Sequence, residues 1–144
     1  MRMRRLLRFG LAMVFVTITP AVWADQWYEH YARAERALTE NDHETAIAEL
    51  NRALERRGDS GIRVRTYGMR VTDYFPYLKL GIAYYMADEH DAALRAFDTE
   101  EQLGVVQESE QAFGELSRFR RRASDAVERL RREQQRQMDD LIQG

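Results

Sequence analysis

Between residues 77 and 99 the chain places small side chains where two helices would touch, and large apolar ones where the pair would need covering. Leu80, Gly81 and Tyr84 fall on one face of a first helix, and Ala93 and Phe97 on one face of a second. Residues three and four apart are neighbours on a helix surface, so each set forms a continuous stripe. A polar turn around Asp88 folds the second helix back on the first. Gly81 lets one backbone approach closely, and Ala93 offers the small surface that it approaches. A helical pair of this kind cannot bury its own apolar face alone, so other elements must cover it.

The same design occurs once before. Asn41-Asp42-His43-Glu44-Thr45-Ala46-Ile47 aligns with Asp88-Glu89-His90-Asp91-Ala92-Ala93-Leu94. Each is a polar turn that ends in a His-acid pair, then a small residue, then a branched apolar one. In this register Leu50 matches Phe97, Ala34 stands at the position of Gly81, and Ala37 at that of Tyr84. Ala53-Leu54 ends the first unit with a small-apolar pair, whereas Glu100-Glu101 ends the second with two acids.

The order Leu80, Gly81, Tyr84, Ala93, Phe97, opened by the aromatic Tyr77, resembles the tetratricopeptide repeat (TPR). That resemblance implies an all-α domain with TPR-like hairpins over residues 25–57 and 74–104. It also implies a groove lined by the other face of each first helix. Carried over by register, the partner-binding positions are Tyr28, Tyr31, Glu35 and Leu38 in the first hairpin, and Phe75, Leu78, Ile82 and Tyr85 in the second. Clamp-type grooves of this family hold a terminal carboxylate with Lys, Arg and Asn, which these positions lack. The resemblance therefore implies an apolar, tyrosine-rich groove for a peptide or a helix, unless the chain's own C-terminal helix fills it.

Ala46 and Ala93 are 47 residues apart, against about 34 for the family's repeat, so an insertion lies between the hairpins. It occupies residues 58–73. Gly58, Asp59, Ser60 and Gly61 break the helix. Ile62-Arg63-Val64-Arg65-Thr66 then alternates apolar and polar residues, which suits an extended strand. Gly68 is placed to turn it back as a small hairpin, the alternative being an ordered extended loop. Arg63 and Arg65, opposite Ile62 and Val64, are positioned to close over one end of the groove and read acids on a partner. Thr72 or Asp73 is expected to cap the next helix, with Pro76 in its first turn.

Residues 105–144 read as a short link and a long helix, rich in Arg, Glu, Gln and Ala, with Gly114 its sole interior breaker. Phe113, Leu116, Ala123, Val127 and Leu130 form a seam that caps the second hairpin, interrupted by Arg120 and fading at Gln134 and Gln137. The remainder reads as a solvated extension that frays toward Gly144.

The first 24 residues carry four arginines, an apolar run over 9–18, and a small-residue ending at Val22-Trp23-Ala24. This is the layout of a secretory signal cleaved after Ala24. The apolar stretch is short of the ~20 residues a spanning helix needs, so no stable membrane span is expected after cleavage. The expected location is periplasmic or secreted. No cysteine is present, which excludes disulfides, thiolate metal sites and a lipid-modified cysteine anchor. From Asp25 onward 18 basic residues face 24 acidic ones, a net charge near −6. That is a poor nucleic-acid binder.

His43 and His90 hold equivalent turn positions and read as flat rings filling partly buried space; His30 has no partner at metal-ligand spacing. No carboxylate pair is singled out by apolar surroundings. No nucleophile-elbow, phosphate-cradling or metalloprotease motif occurs, so neither catalysis nor a cofactor is expected. Arginines at 118 and 120–122 are interleaved along their helix with Glu115, Asp125, Glu128 and Glu133, which suits a solvated mixed-charge face. The expected function is a non-catalytic protein–protein interaction adaptor of the bacterial cell envelope, with a protein or peptide partner. The alternative is a structural protein that dimerises through Phe113, Leu116, Val127 and Leu130.

Overall fold

The computed structural model describes residues 26–144, so the signal-segment reading of residues 1–24 lies outside the described residues. Among these there are five α-helices and one two-stranded sheet: α1 Trp27–Thr39, α2 His43–Arg56, β1 Gly61–Arg65, β2 Val71–Tyr74, α3 Pro76–Met86, α4 His90–Leu103 and α5 Glu110–Gln143, with a 3-10 turn, Val106–Glu108, before α5. The described chain is mostly helical. None of its helices is long and apolar enough to cross a membrane.

The two helical pairs are built on one local plan. Asn41 and Asp88, at matched positions, both have φ of 59° and end the preceding helix by reversing the chain. Asp42 then caps α2, its carboxylate accepting from the Thr45 amide at 3.1 Å. Ala34, Ala46 and Leu50 in the first pair, and Ala93 and Phe97 in the second, are fully buried. Gly81 faces the Phe97 ring: a Cβ there would lie 2.3 Å from Phe97 Cε1. The glycine is thus required by an aromatic ring packed close against α3.

The insertion is a hairpin, β1 antiparallel to β2, with Val64 opposite Thr72 and Arg65 opposite Val71. Gly68, at φ 63°, supplies the turn. The strict alternation expected of β1 fails at one place, where a bulge between Gly61 and Val64 sets Arg63 at φ 50°. Its amide donates to the Asp73 carboxylate at 2.8 Å. Asp73 is therefore committed within the hairpin, and neither it nor Thr72 caps α3. Phe75 holds the N-cap position without a side-chain cap, and Pro76 opens the helix.

Two apolar clusters form the core. One joins Tyr31, Leu50 and Tyr74 with Leu80, Ala83 and Ala96, seating the second pair on the first. The other gathers Phe75, Leu78, Ile82, Phe97, Ala112 and Leu116, seating α5 on the second pair. Ser109 caps α5, its hydroxyl accepting from the Ala112 amide at 3.3 Å. The buried stripe of α5 runs from Ala112 to Val127. The helix continues to Gln143 and is exposed from Glu128 onward, as a solvated extension.

Candidate functional site

Three helices meet in a concave strip. On α1, Tyr31, Glu35 and Leu38 follow at four- and three-residue steps; Phe75 at the N-cap of α3, then Leu78 or Lys79, Ile82 and Met86 line the facing side. Ala112 and Glu115 of α5 close the third side. The strip holds two adjoining shallow clefts of about 140 and 270 Å³, and Glu35, Lys79 and Glu115 line both.

The expected groove residues separate into two sets. Tyr31, Phe75, Leu78 and Ile82 are 2%, 4%, 1% and 6% exposed, so their rings and chains belong to the core. The Tyr31 hydroxyl accepts from the Phe75 amide at 3.3 Å, and its ring packs edge-on against Tyr74 at 4.8 Å. Burial, helped by the nearby Glu35 charge, pushes the phenol above its ordinary range. Phe75, Leu78 and Ile82 share their cluster with Ala112 and Leu116 of α5. The open tyrosine-rich groove is corrected accordingly: the chain's own C-terminal helix lies against it. Glu35 and Leu38 remain accessible on the strip.

Tyr28 and Tyr85 lie away from the clefts. Tyr28 stands edge-on to Trp27 at 5.6 Å. Tyr85 lies against Phe119 at 5.6 Å and His90 at 5.5 Å, so His90 fills its turn as a ring among rings. Arg63 and Arg65 are exposed on the hairpin, and the insertion residue that reaches the cleft rim is Asp73.

Two residues of the strip escape a reading of first-helix positions alone. Lys79 is the chain's single lysine, and its Nζ lies 3.2 Å from Glu115 Oε2. The isolated lysine among 21 arginines was the available signal. Glu35 has no ion-pair partner within 4 Å among the described residues. Partial desolvation raises its carboxyl above the usual range, with Lys79 pulling it down and Glu115 pushing it up.

Two buried carboxylates lie outside the strip. Glu100 is 0% exposed; it accepts from the Leu78 amide at 3.0 Å and from the Ser60 hydroxyl. It is the missing cap of α3, reaching over from α4 to satisfy a first-turn amide. It also pins the insertion at its base. Burial raises its carboxyl, with the bonds from Ser60 and the α3 amides opposing. The sequence singled out no carboxylate pair in such surroundings. The signal was its place on the stripe Ala93, Ala96, Phe97, Glu100. Glu49, 6% exposed, meets His30 Nδ1 at 2.7 Å and Arg33 Nε at 2.9 Å, with Arg52 also bonded. Burial alone would raise it, but those donors hold it down to about 2.

Arg120, which interrupts the α5 seam, is explained by its pairs with Asp98 and Glu101 of α4. Among the described residues no three His, Asp or Glu side chains gather as metal ligands. No family model, curated protein or solved structure matches this chain.

Proposed function

We propose that this protein is a non-catalytic interaction adaptor of the bacterial cell envelope, exported by residues 1–24 and built on two TPR-like hairpins. Its partner is a segment that lies along the strip between α1, α3 and α5. The supporting observation is the composition of that strip: the partly exposed, apolar Leu38 and Met86 flank a row of Glu35, Lys79 and Glu115. Lys79 and Glu115 neutralise each other, which leaves Glu35 as the charge offered to a ligand. An amphipathic segment with a Lys or Arg beside aliphatic residues fits this pattern; a terminal carboxylate does not.

Capture from envelope extract tests the reading. Wild type should retain a protein that Glu35→Lys and Leu38→Glu lose, with unchanged circular dichroism. Equal capture by all three would remove the strip from the function.

Self-association through α5 is a second reading. Phe113, Leu116 and Val127 are used inside the molecule, so pairing would rest on Leu130, Met138, Leu141 and Ile142, which are 51–79% exposed. Light scattering of wild type and Leu130→Glu/Leu141→Glu separates the readings. A dimer that becomes a folded monomer supports pairing.

A further inference from the structure

The outer half of the hairpin is unused by the core. Its base is fixed: Ser60 bonds Glu100, and the buried Tyr74 hydroxyl donates to the Arg57 carbonyl at 2.8 Å. Ile62 and Val64 turn inward onto the two clusters. Beyond them the ribbon leaves the body, closed by a tight turn in which the Arg70 amide donates to the Tyr67 carbonyl at 3.2 Å. At that tip Tyr67 is 78% exposed, Met69 97% and Val71 49%. Such side chains add nothing to folding and cost solubility unless something covers them.

The charges around the tip indicate what does. Residues 61–72 contain Arg63, Arg65 and Arg70 and no acid, in a chain with an excess of acids from Asp25 onward. None of the three guanidinium groups lies within 4 Å of a carboxylate among the described residues, whereas Arg33, Arg52, Arg120 and Arg132 each have such a partner. An apolar, aromatic tip ringed by unpaired cations matches the interface of an anionic bilayer. There a tyrosine ring sits at headgroup level, a flexible methionine reaches the acyl boundary, and arginines meet phosphates. The tip side chains stand out in solvent, so they suit a fluid surface better than the fully desolvated site that anchors a protein partner.

We propose that the hairpin is a finger that docks the protein on an anionic lipid bilayer, Tyr67 and Met69 entering the interface and Arg63, Arg65 and Arg70 facing the headgroups. The inference is independent of the strip between α1, α3 and α5. Cosedimentation with phosphatidylcholine vesicles, with and without phosphatidylglycerol, tests it. The chain used begins at Asp25, which retains both apolar clusters and omits the apolar run at 9–18. Wild type should bind the anionic vesicles at least tenfold more tightly than the neutral ones, and high salt should weaken that binding. Arg63→Ala/Arg65→Ala/Arg70→Ala should lose tenfold or more, since one cation near such a surface is worth roughly fivefold. Tyr67→Ser/Met69→Ser should lose several-fold with unchanged circular dichroism, since both side chains are exposed. The absence of any anionic-lipid preference overturns the proposal. So does binding that both variants retain in full, which would move it to the α5 arginines. Arginine-dependent binding to soluble polyglutamate but not to vesicles assigns the finger to an acidic polypeptide and overturns it equally.

Discussion

The helical pairs α1–α2 and α3–α4 share a turn and differ in what they bury beside it. Both turn residues, Asn41 and Asp88, have φ of 59°, and both first-turn alanines, Ala46 and Ala93, are 0% exposed. Further along, the chemistry exchanges places. Where the second pair has Leu80 and Ala96 packed on its neighbour, the first has Arg33 and Glu49, an ion cluster completed by His30 and Arg52. Where the first has the buried Ala53, the second has the buried Glu100. The first substitution replaces an apolar packing face by a buried, hydrogen-bonded ion cluster, in which donors surround the Glu49 carboxylate. The second lets one pair accept an insertion, because a carboxylate can cap α3 and hold Ser60 where an alanine could not. Equivalent positions thus carry different duties according to what lies across from them.

Moving the acid across should have the largest effect. Ala53→Glu places a carboxylate where no donor waits, and urea denaturation should show a loss of about 4 kcal/mol, on the scale of an uncompensated buried charge. A loss below 1 kcal/mol would mean that the two helix ends are not buried alike. Gly81→Leu should cost about 3 kcal/mol, since the Phe97 ring leaves no room for a side chain. Wild-type stability in that variant would show that the close α3–α4 contact is misplaced. Glu100→Ala should cost about 2 kcal/mol by leaving the Leu78 amide and the Ser60 hydroxyl unsatisfied. Proteolysis should then cut first near Gly58 to Gly61, where the insertion has come loose.

Acid titration should distinguish the two carboxylates by sign. Glu49 is held down to about 2 against an ordinary 4.5. Its contribution is therefore present above about pH 4.5 and lost as pH falls toward 2. Glu100 is raised, so its contribution is present below its unfolded value and lost as pH rises through the folded one. Stability measured against pH should fall less steeply below pH 4.5 in Glu49→Gln than in wild type. Glu100→Gln should instead remove a loss that sets in as pH rises above about 4.5. Parallel curves for the two variants would break the contrast. The smallest effect should come from the shared turns: Asn41→Gly and Asp88→Gly should each change stability by less than about 1 kcal/mol. Equal changes of the same sign would strengthen the equivalence of the two pairs, and opposite signs would weaken it.

Helix positions, the paired turns and the length of α5 were legible in the chain because they follow from local rules. Three- and four-residue steps, a helix-breaking turn and a run of good helix formers act within one or two turns of backbone. The turned-back strand was half legible: alternation marked β1, but the bulge at Arg63 depends on Asp73, ten residues away. The cap of α3 and the partners of Glu49 were hidden for the same reason. Glu100 meets Leu78 and Ser60 across 22 and 40 residues, and Glu49 meets His30 across 19. The strip between α1, α3 and α5 shows the limit most plainly. Sequence register placed Tyr31, Glu35, Leu38, Phe75, Leu78 and Ile82 on two helix faces, and helical periodicity alone determines that. Which of those faces stays open was decided by α5. Its apolar stripe covers Phe75, Leu78 and Ile82 and leaves Glu35, with the Lys79–Glu115 pair, on the surface. A stripe in the sequence states that a surface must be buried; only the packed chain determines by what.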